Sequence, residues 1–216
     1  MIINSSYFQN KSVFIPNSIV NPSLGGNSPD AITQLDMEIA EKEHELLIAF
    51  LGQEQTIELL NQFETDGAWK PSALQKWKEL VDGVTYDNKK WNGLRYTIGG
   101  KKISLIAYYV FFHYLKDDFS TYTTTGINVA RSENSVTQDP NGKQVNAWNK
   151  FISMYGCNDR YGTDYSFFSN WNGFGIRWGA NRNNNEITLY RFMQDNADDY
   201  DSSFFTHFNV INVYNL

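Results

Sequence analysis

Residues 103–115, ISLIAYYVFFHYL, constrain the fold of this chain more than any other stretch. Ile103, Ile106, Ala107, Val110 and Tyr114 form a stripe at helical spacing, while Leu105, Tyr108, Tyr109 and Phe112 fill the opposite side. A helix that is apolar all round is buried all round, either centrally in its own fold or against another subunit. The run is too short for the roughly 20 residues a bilayer crossing needs, and it carries His113 and several tyrosines, so no transmembrane span is expected.

Around this element the periodicity predicts further helices. Over residues 36–51, Met37, Ala40, His44, Leu47, Ile48 and Leu51 recur on one face, with Glu38, Glu41, Lys42, Glu43 and Glu45 mostly on the other, and Gly52 stops the helix. Ile57, Leu60 and Phe63 mark a second helix running to Gly67. The pair Pro71-Ser72 opens a third, with Leu74, Trp77, Leu80 and Val81 facing inward before Gly83. Residues 143–155 give a helix ended by Gly156, and residues 187–196 a short one. Gly93, Gly99, Gly100 and Lys89-Lys90 give residues 84–100 a loop or hairpin signature, and the Thr-rich, β-branched residues 120–129 read as a short strand or projecting loop.

The two ends read differently. Residues 1–29 are rich in Asn, Ser and Pro with scattered apolar positions, the pattern of an extended arm that gains order on a neighbour. Residues 158–185 are dominated by Gly, Asn and aromatics with little periodicity, and residues 208–216 read as an extended terminus. No lysine follows Lys150. Aromatics make up 16% of the chain, more than a core of this size needs, which points to surfaces that meet other chains.

The net charge of −6 argues against a chain whose overall charge drives it onto nucleic acid or an anionic membrane. Cys157 is the only cysteine, so there is no disulfide framework and no Cys-rich zinc site, and a reducing place of synthesis fits. The N-terminus lacks the pattern of a secretory signal. Walker, dinucleotide, nucleophile-elbow and His-Glu-x-x-His motifs are missing, and Gly173-Phe174-Gly175 precedes Ile176-Arg177-Trp178 rather than a helix start. His44, His113 and His207 are too scattered for a metal site. Asp195, Asp198, Asp199 and Asp201 lack the Gly and terminal Glu of a calcium loop and read as a solvated helix end. No catalytic residue, metal or cofactor is expected.

One charge feature stands out. Residues 70–102 carry eight cationic side chains (Lys70, Lys76, Lys78, Lys89, Lys90, Arg95, Lys101, Lys102) against Glu79, Asp82 and Asp87, with Trp77, Trp91 and Tyr96 interleaved. A solvated helix face and loop is the first reading of such a run. Contact with phosphates or an acidic partner through Lys89, Lys90, Lys101 and Lys102 is the alternative.

The words Glu43-His44-Glu45-Leu46-Leu47, Trp77-Lys78-Glu79-Leu80-Val81-Asp82-Gly83, Trp91-Asn92-Gly93-Leu94, Ser104-Leu105-Ile106-Ala107-Tyr108-Tyr109-Val110 and Ala147-Trp148-Asn149-Lys150 follow one another in this order. In order and spacing they resemble the head-tail connector (neck or ring adaptor) proteins of tailed phages infecting Bacteroidetes, including the crAss-like group. The resemblance covers residues 38–155, with a weaker echo at Thr188-Leu189-Tyr190-Arg191-Phe192 and Ile211-Asn212. It implies a helical adaptor subunit in a homo-oligomeric ring, often of twelve copies, below the portal and around the DNA channel. It also implies portal and other neck or tail proteins as partners, a virion location after synthesis in the host cytoplasm, non-specific contact with channel DNA, and no catalytic residues.

The expected fold is therefore mainly α: a helical bundle with an extended N-terminal arm (1–34), an adaptor core (35–157) with a projecting loop or short β-hairpin, and an irregular aromatic-rich C-terminal region (158–216). Tyr108, Tyr109, Phe112, Trp171 and Trp178 are the expected subunit-interface residues. An alternative function is a carbohydrate- or surface-binding module of a phage tail, with Tyr161, Trp171, Phe174 and Trp178 as an aromatic platform.

Overall fold

The structure, a computed structural model, describes residues 1–15, 18, 29–65, 67–118, 121–123, 126–128, 141–156 and 186–208. The first helix, α1 (Pro29–Leu60), starts on a proline at the position where a missing N–H costs nothing. It is interrupted at Gly52, whose φ of 72° and ψ of 174° are not helical. The expected stop is thus a break within one long element, spanned by a bond from the Thr56 hydroxyl to the Gly52 carbonyl (2.7 Å).

The inward face of α1 differs in phase from the expected one. Leu35, Ile39, Leu46, Leu47, Phe50 and Leu51 are buried, and so is Glu43, whereas Met37 is 68% exposed. Beyond the break, Thr56 and Leu59 face inward and Ile57 faces out. The helix ends at Leu60 rather than running to Gly67, because Phe63 leaves it to pair with Trp69 and stack on its ring at 4.2 Å.

Helix α2 (Gln75–Asp82) begins three residues after the Pro71-Ser72 turn; Trp77, Leu80 and Val81 are buried, while Leu74 is exposed at its N-cap. Residues 84–104 then fold into two antiparallel hairpins. In the first, β1 (Val84–Tyr86) pairs with β2 (Lys89–Trp91) across Asp87-Asn88, whose φ values of 45° and 59° match a two-residue hairpin turn. In the second, β3 (Arg95–Ile98) pairs with β4 (Lys101–Ser104) across Gly99-Gly100. A third pair, β5 (Thr121–Thr123) and β6 (Gly126–Asn128), lies in the segment expected to hold a strand or loop. With three hairpins beside the helices, the fold is mixed, and the expected mainly α class holds only in part. The stretch without helical period zips into strands because its turn pairs tolerate positive φ.

Helix α3 (Leu105–Asp118) is the central element expected from its composition, shifted by two residues because Ile103 belongs to β4. Leu105 to Phe111 and Leu115 are all buried within this chain. The helix packs against α4 (Asn141–Tyr155) and α1. Aromatic rings line this seam: Phe112 and Trp148 lie 4.6 Å apart, Tyr109 and Phe151 5.2 Å, Phe151 and Tyr155 5.0 Å, and Tyr155 and Phe205 4.6 Å. Helix α5 (Leu189–Asp195) is capped by the Thr188 hydroxyl, which accepts from the Arg191 N–H, and it stacks Phe192 on Trp91 at 5.5 Å. Many aromatics therefore fill the chain's own core, which weakens the inference that their excess serves other chains.

The expected N-terminal arm is corrected where it is described. Ile2, Ile3, Phe8, Val13 and Ile15 are buried in the same core as the helices. The Ile2 and Ile3 N–H groups donate to the two carboxylate oxygens of Glu43 (2.7 and 3.0 Å), and Arg95 donates to the Ile2 carbonyl (2.9 Å) and to Asp82 (2.9 Å). The apolar residues did not mark a core segment because only Phe8 lies in a regular element, the short 3-10 helix Ser5–Gln9, and the others follow no helix or strand period.

Candidate functional site

The cationic run does not form one surface; the hairpins and helices disperse it. The Lys70 ammonium donates to the Asn61 carbonyl (2.7 Å), Lys76 pairs with Glu58 (3.3 Å) and Arg95 pairs with Asp82 (2.9 Å). Lys89 bonds the Asp195 carboxylate at 2.5 Å, which also takes Arg191 (2.9 Å) and the Tyr86 hydroxyl (3.1 Å). That carboxylate is only 14% exposed, so Lys89 serves to fasten α5 to the first hairpin. Burial and the Asp195 charge together push the Tyr86 phenol well above its ordinary value. Asp195 is thus an interior partner and not part of a solvated helix end. Lys90 keeps an exposed side chain, while its backbone bonds to the chain before α5 (Ile187 N–H to Lys90 carbonyl, 2.9 Å).

Lys101 and Lys102 belong to a different place. With Asn10, Lys11, Ser12 and Lys150 they line an open cleft of about 540 Å³ floored by Val13, Ile103, Ala107 and Tyr108. Three remote parts of the chain build it. The 10–13 turn is fixed to β4 by the Asn10 amide, which donates to the Lys102 carbonyl (2.7 Å). The Lys102 ammonium donates to Ser6 Oγ (2.7 Å) and lies 5.4 Å from the Tyr7 ring centroid. From α4, Lys150 reaches over the Tyr108 ring at 5.6 Å, and burial holds its ammonium below the ordinary lysine value.

Four lysines and no acidic residue line this cleft among the described residues. The first turn of α3 adds to the positive potential, since Ser104 and Ala107 belong to the wall and that turn carries no acid. Ser104 Oγ takes up the Ile106 N–H (3.1 Å) and the more distant Ala107 N–H (3.4 Å) while donating to the Leu94 carbonyl (2.6 Å). The arrangement suits recognition of an anion by charge and hydrogen bonds; it offers no paired acid and base. Sequence reading missed Lys11 and Lys150 because each stands apart from the cationic run, and only the folding of 10–13 and α4 onto β4 brings them to it.

The expected interface residues separate as well. Tyr108 and Tyr109 are 6% and 4% exposed, so they belong to this chain's core and leave almost no area for a neighbour. Tyr109 donates to Glu45 (3.1 Å), and burial pushes its phenol well above the ordinary value. Phe112 is half-buried against Trp148 and His113. Trp171 and Trp178 lie outside the described residues, as do Tyr161, Phe174 and Cys157. Among the described residues no cluster of His, Cys, Asp and Glu could hold a metal ion, and no helix is long and apolar enough to cross a membrane. Comparison with protein-family models, with curated proteins and with solved structures found no match.

Proposed function

We propose that this chain is a non-enzymatic structural protein of a tailed-phage virion, one subunit of an oligomeric ring in the connector that joins the portal to the tail and surrounds the DNA channel. The observation that carries the reading is the ordered set of sequence words between residues 38 and 155. Its support in three dimensions is that the words meet. The Trp91 indole donates to the Leu80 carbonyl (2.9 Å), as does the Leu94 N–H (3.2 Å), and Ser104 donates to Leu94. Tyr109 joins the word on α3 to Glu45 on α1 and to Trp148 on α4. Words that build one body are what a shared fold would retain.

A closed ring needs two different faces per subunit that fit head to tail. With residues 1–15 folded onto the chain's own core, the described candidates for such faces are its exposed apolar side chains, among them Met37, Ile57, Leu74 and, at the tip of the β3–β4 hairpin, Ile98. Quantitative mass spectrometry of purified particles of the encoding phage tests the proposal. The expected result is this chain in a fixed ratio to the portal protein, equal in number for a ring of twelve on a portal of twelve. Its absence from particles while it is abundant in infected cells would overturn the reading.

A further inference from the structure

The lysine cleft is opposite in sign to the chain as a whole, which carries −6. Lys11 and Lys101 are exposed, and the Lys102 ammonium donates to the neutral Ser6 hydroxyl. We propose that the cleft lined by Lys11, Lys101, Lys102 and Lys150 is a binding site for phosphate groups of a nucleic-acid backbone.

The side-chain chemistry favours phosphates over an acidic peptide. All four cations are lysines, compact point charges that follow successive phosphates, and none is an arginine fork of the kind that grips a carboxylate in two places. Asn10 and Ser12 add polar side chains to the lining. The floor carries no open aromatic platform, because Tyr108 is buried beneath Lys150, so the cleft reads the backbone and not the bases.

The proposal stands on the cleft and not on the ring reading, so either can fail without the other. Fluorescence anisotropy of the isolated full chain with a labelled DNA duplex of unrelated sequence tests it. The expected affinity is weak, roughly 10⁻⁴ to 10⁻⁶ M at physiological salt, with little sequence preference. Log K should fall against log salt with a slope of about −3 to −4 when all four lysines neutralise phosphates, each contributing about −0.9. Lys11→Ala and Lys101→Ala, both exposed, should each make the slope shallower by about 1, and the Lys11→Glu/Lys101→Glu double variant should abolish binding with its melting temperature retained. Lys90→Ala, outside the cleft, should leave the slope unchanged.

No salt-dependent binding by the wild type, or a slope indifferent to Lys11 and Lys101, overturns the proposal. Two competitors separate the other anion sources. Poly-glutamate binding tighter than DNA through the same lysines would assign the cleft to an acidic protein, and inorganic tripolyphosphate binding there without DNA binding would assign it to a small polyphosphate. Either result overturns the nucleic-acid assignment.

Discussion

Replacing Glu43 by alanine is expected to lower the stability of the folded chain by about 2–6 kcal/mol, because it strands two buried N–H groups that cost about 1–3 kcal/mol each. Glu43 is buried on α1, and its two oxygens receive the Ile2 and Ile3 N–H groups. Both isoleucines are themselves buried, so water cannot replace the lost acceptor. Glu43→Gln retains the volume and one acceptor but turns an NH₂ toward the other donor, so a smaller loss of about 1–3 kcal/mol is expected. Against a total of roughly 5–15 kcal/mol for a typical domain, either change is large.

The pH dependence separates the two variants further. Burial raises the Glu43 carboxyl above the ordinary glutamate value, outweighing the two N–H bonds and the nearby Arg95 charge that lower it. A folded state that holds this proton more tightly than the unfolded chain loses stability as pH rises from the ordinary glutamate value through the raised folded one. The wild type should show that decline and Glu43→Gln should lack it. Urea midpoints across this pH range measure both effects, and trypsin cleavage after Lys11 should accelerate in Glu43→Ala as residues 1–15 come away. Unchanged midpoints and cleavage would mean that the N-terminal segment is not fastened by this carboxylate.

The second large effect is expected at Gly83 and Gly93, which pack backbone to backbone where α2 ends beside the chain leaving β2. Gly83 has φ of +90°, and a Cβ there would lie 2.6 Å from the Trp91 carbonyl oxygen. Gly93 has φ of +92°, and its Cβ would lie 2.5 Å from the Val81 carbonyl oxygen. The backbone conformation alone costs a non-glycine residue about 1–3 kcal/mol. The overlap comes in addition, and no rotamer relieves it because the opposing atoms are backbone. Gly83→Ala and Gly93→Ala should each exceed that conformational cost, and the double variant should cost less than the two losses added, since the first displacement opens space for the second. Gly99→Ala is the control: its φ is +55° but nothing lies within 4 Å of the added Cβ, so only the conformational cost remains. Thermal or urea unfolding of the four variants decides the matter, and equal losses at Gly83 and Gly99 would contradict the close approach.

These two glycines also bring separate words of the sequence together in this chain. Asp82-Gly83 and Trp91-Asn92-Gly93-Leu94 are neighbours in space, tied by the Trp91 indole and the Leu94 N–H to the same Leu80 carbonyl. The two words form one structural unit in this chain, although neither reveals the contact. The fully apolar α3, the Gly52 interruption and the α4 stop at Gly156 were equally plain, because each follows from local pattern and turn chemistry.

What remained hidden depended on tertiary partners. A periodic pattern assigns carboxylates to solvent, so it placed Glu43 outside and Met37 inside, the reverse of the structure. The fate of residues 1–15 was hidden by the same fact, since the acceptor that holds them lies some forty positions away. The cleft was only half visible: Lys101-Lys102 stood out as a cationic pair, whereas Lys11 and Lys150 join it only through the 10–13 turn and α4. Lys89 was singled out by the same charge run and turned out to hold α5.

Imaging the neck of the encoding phage at a resolution that traces helices tests the proposed function most directly. The expected map contains a closed ring next to the portal in which each subunit accommodates the broken helix α1, the α3–α4 aromatic seam and the twin hairpins, with the lysine cleft turned toward nucleic acid. A fully traced neck with no density for this chain, in particles that lack it elsewhere, would contradict the account.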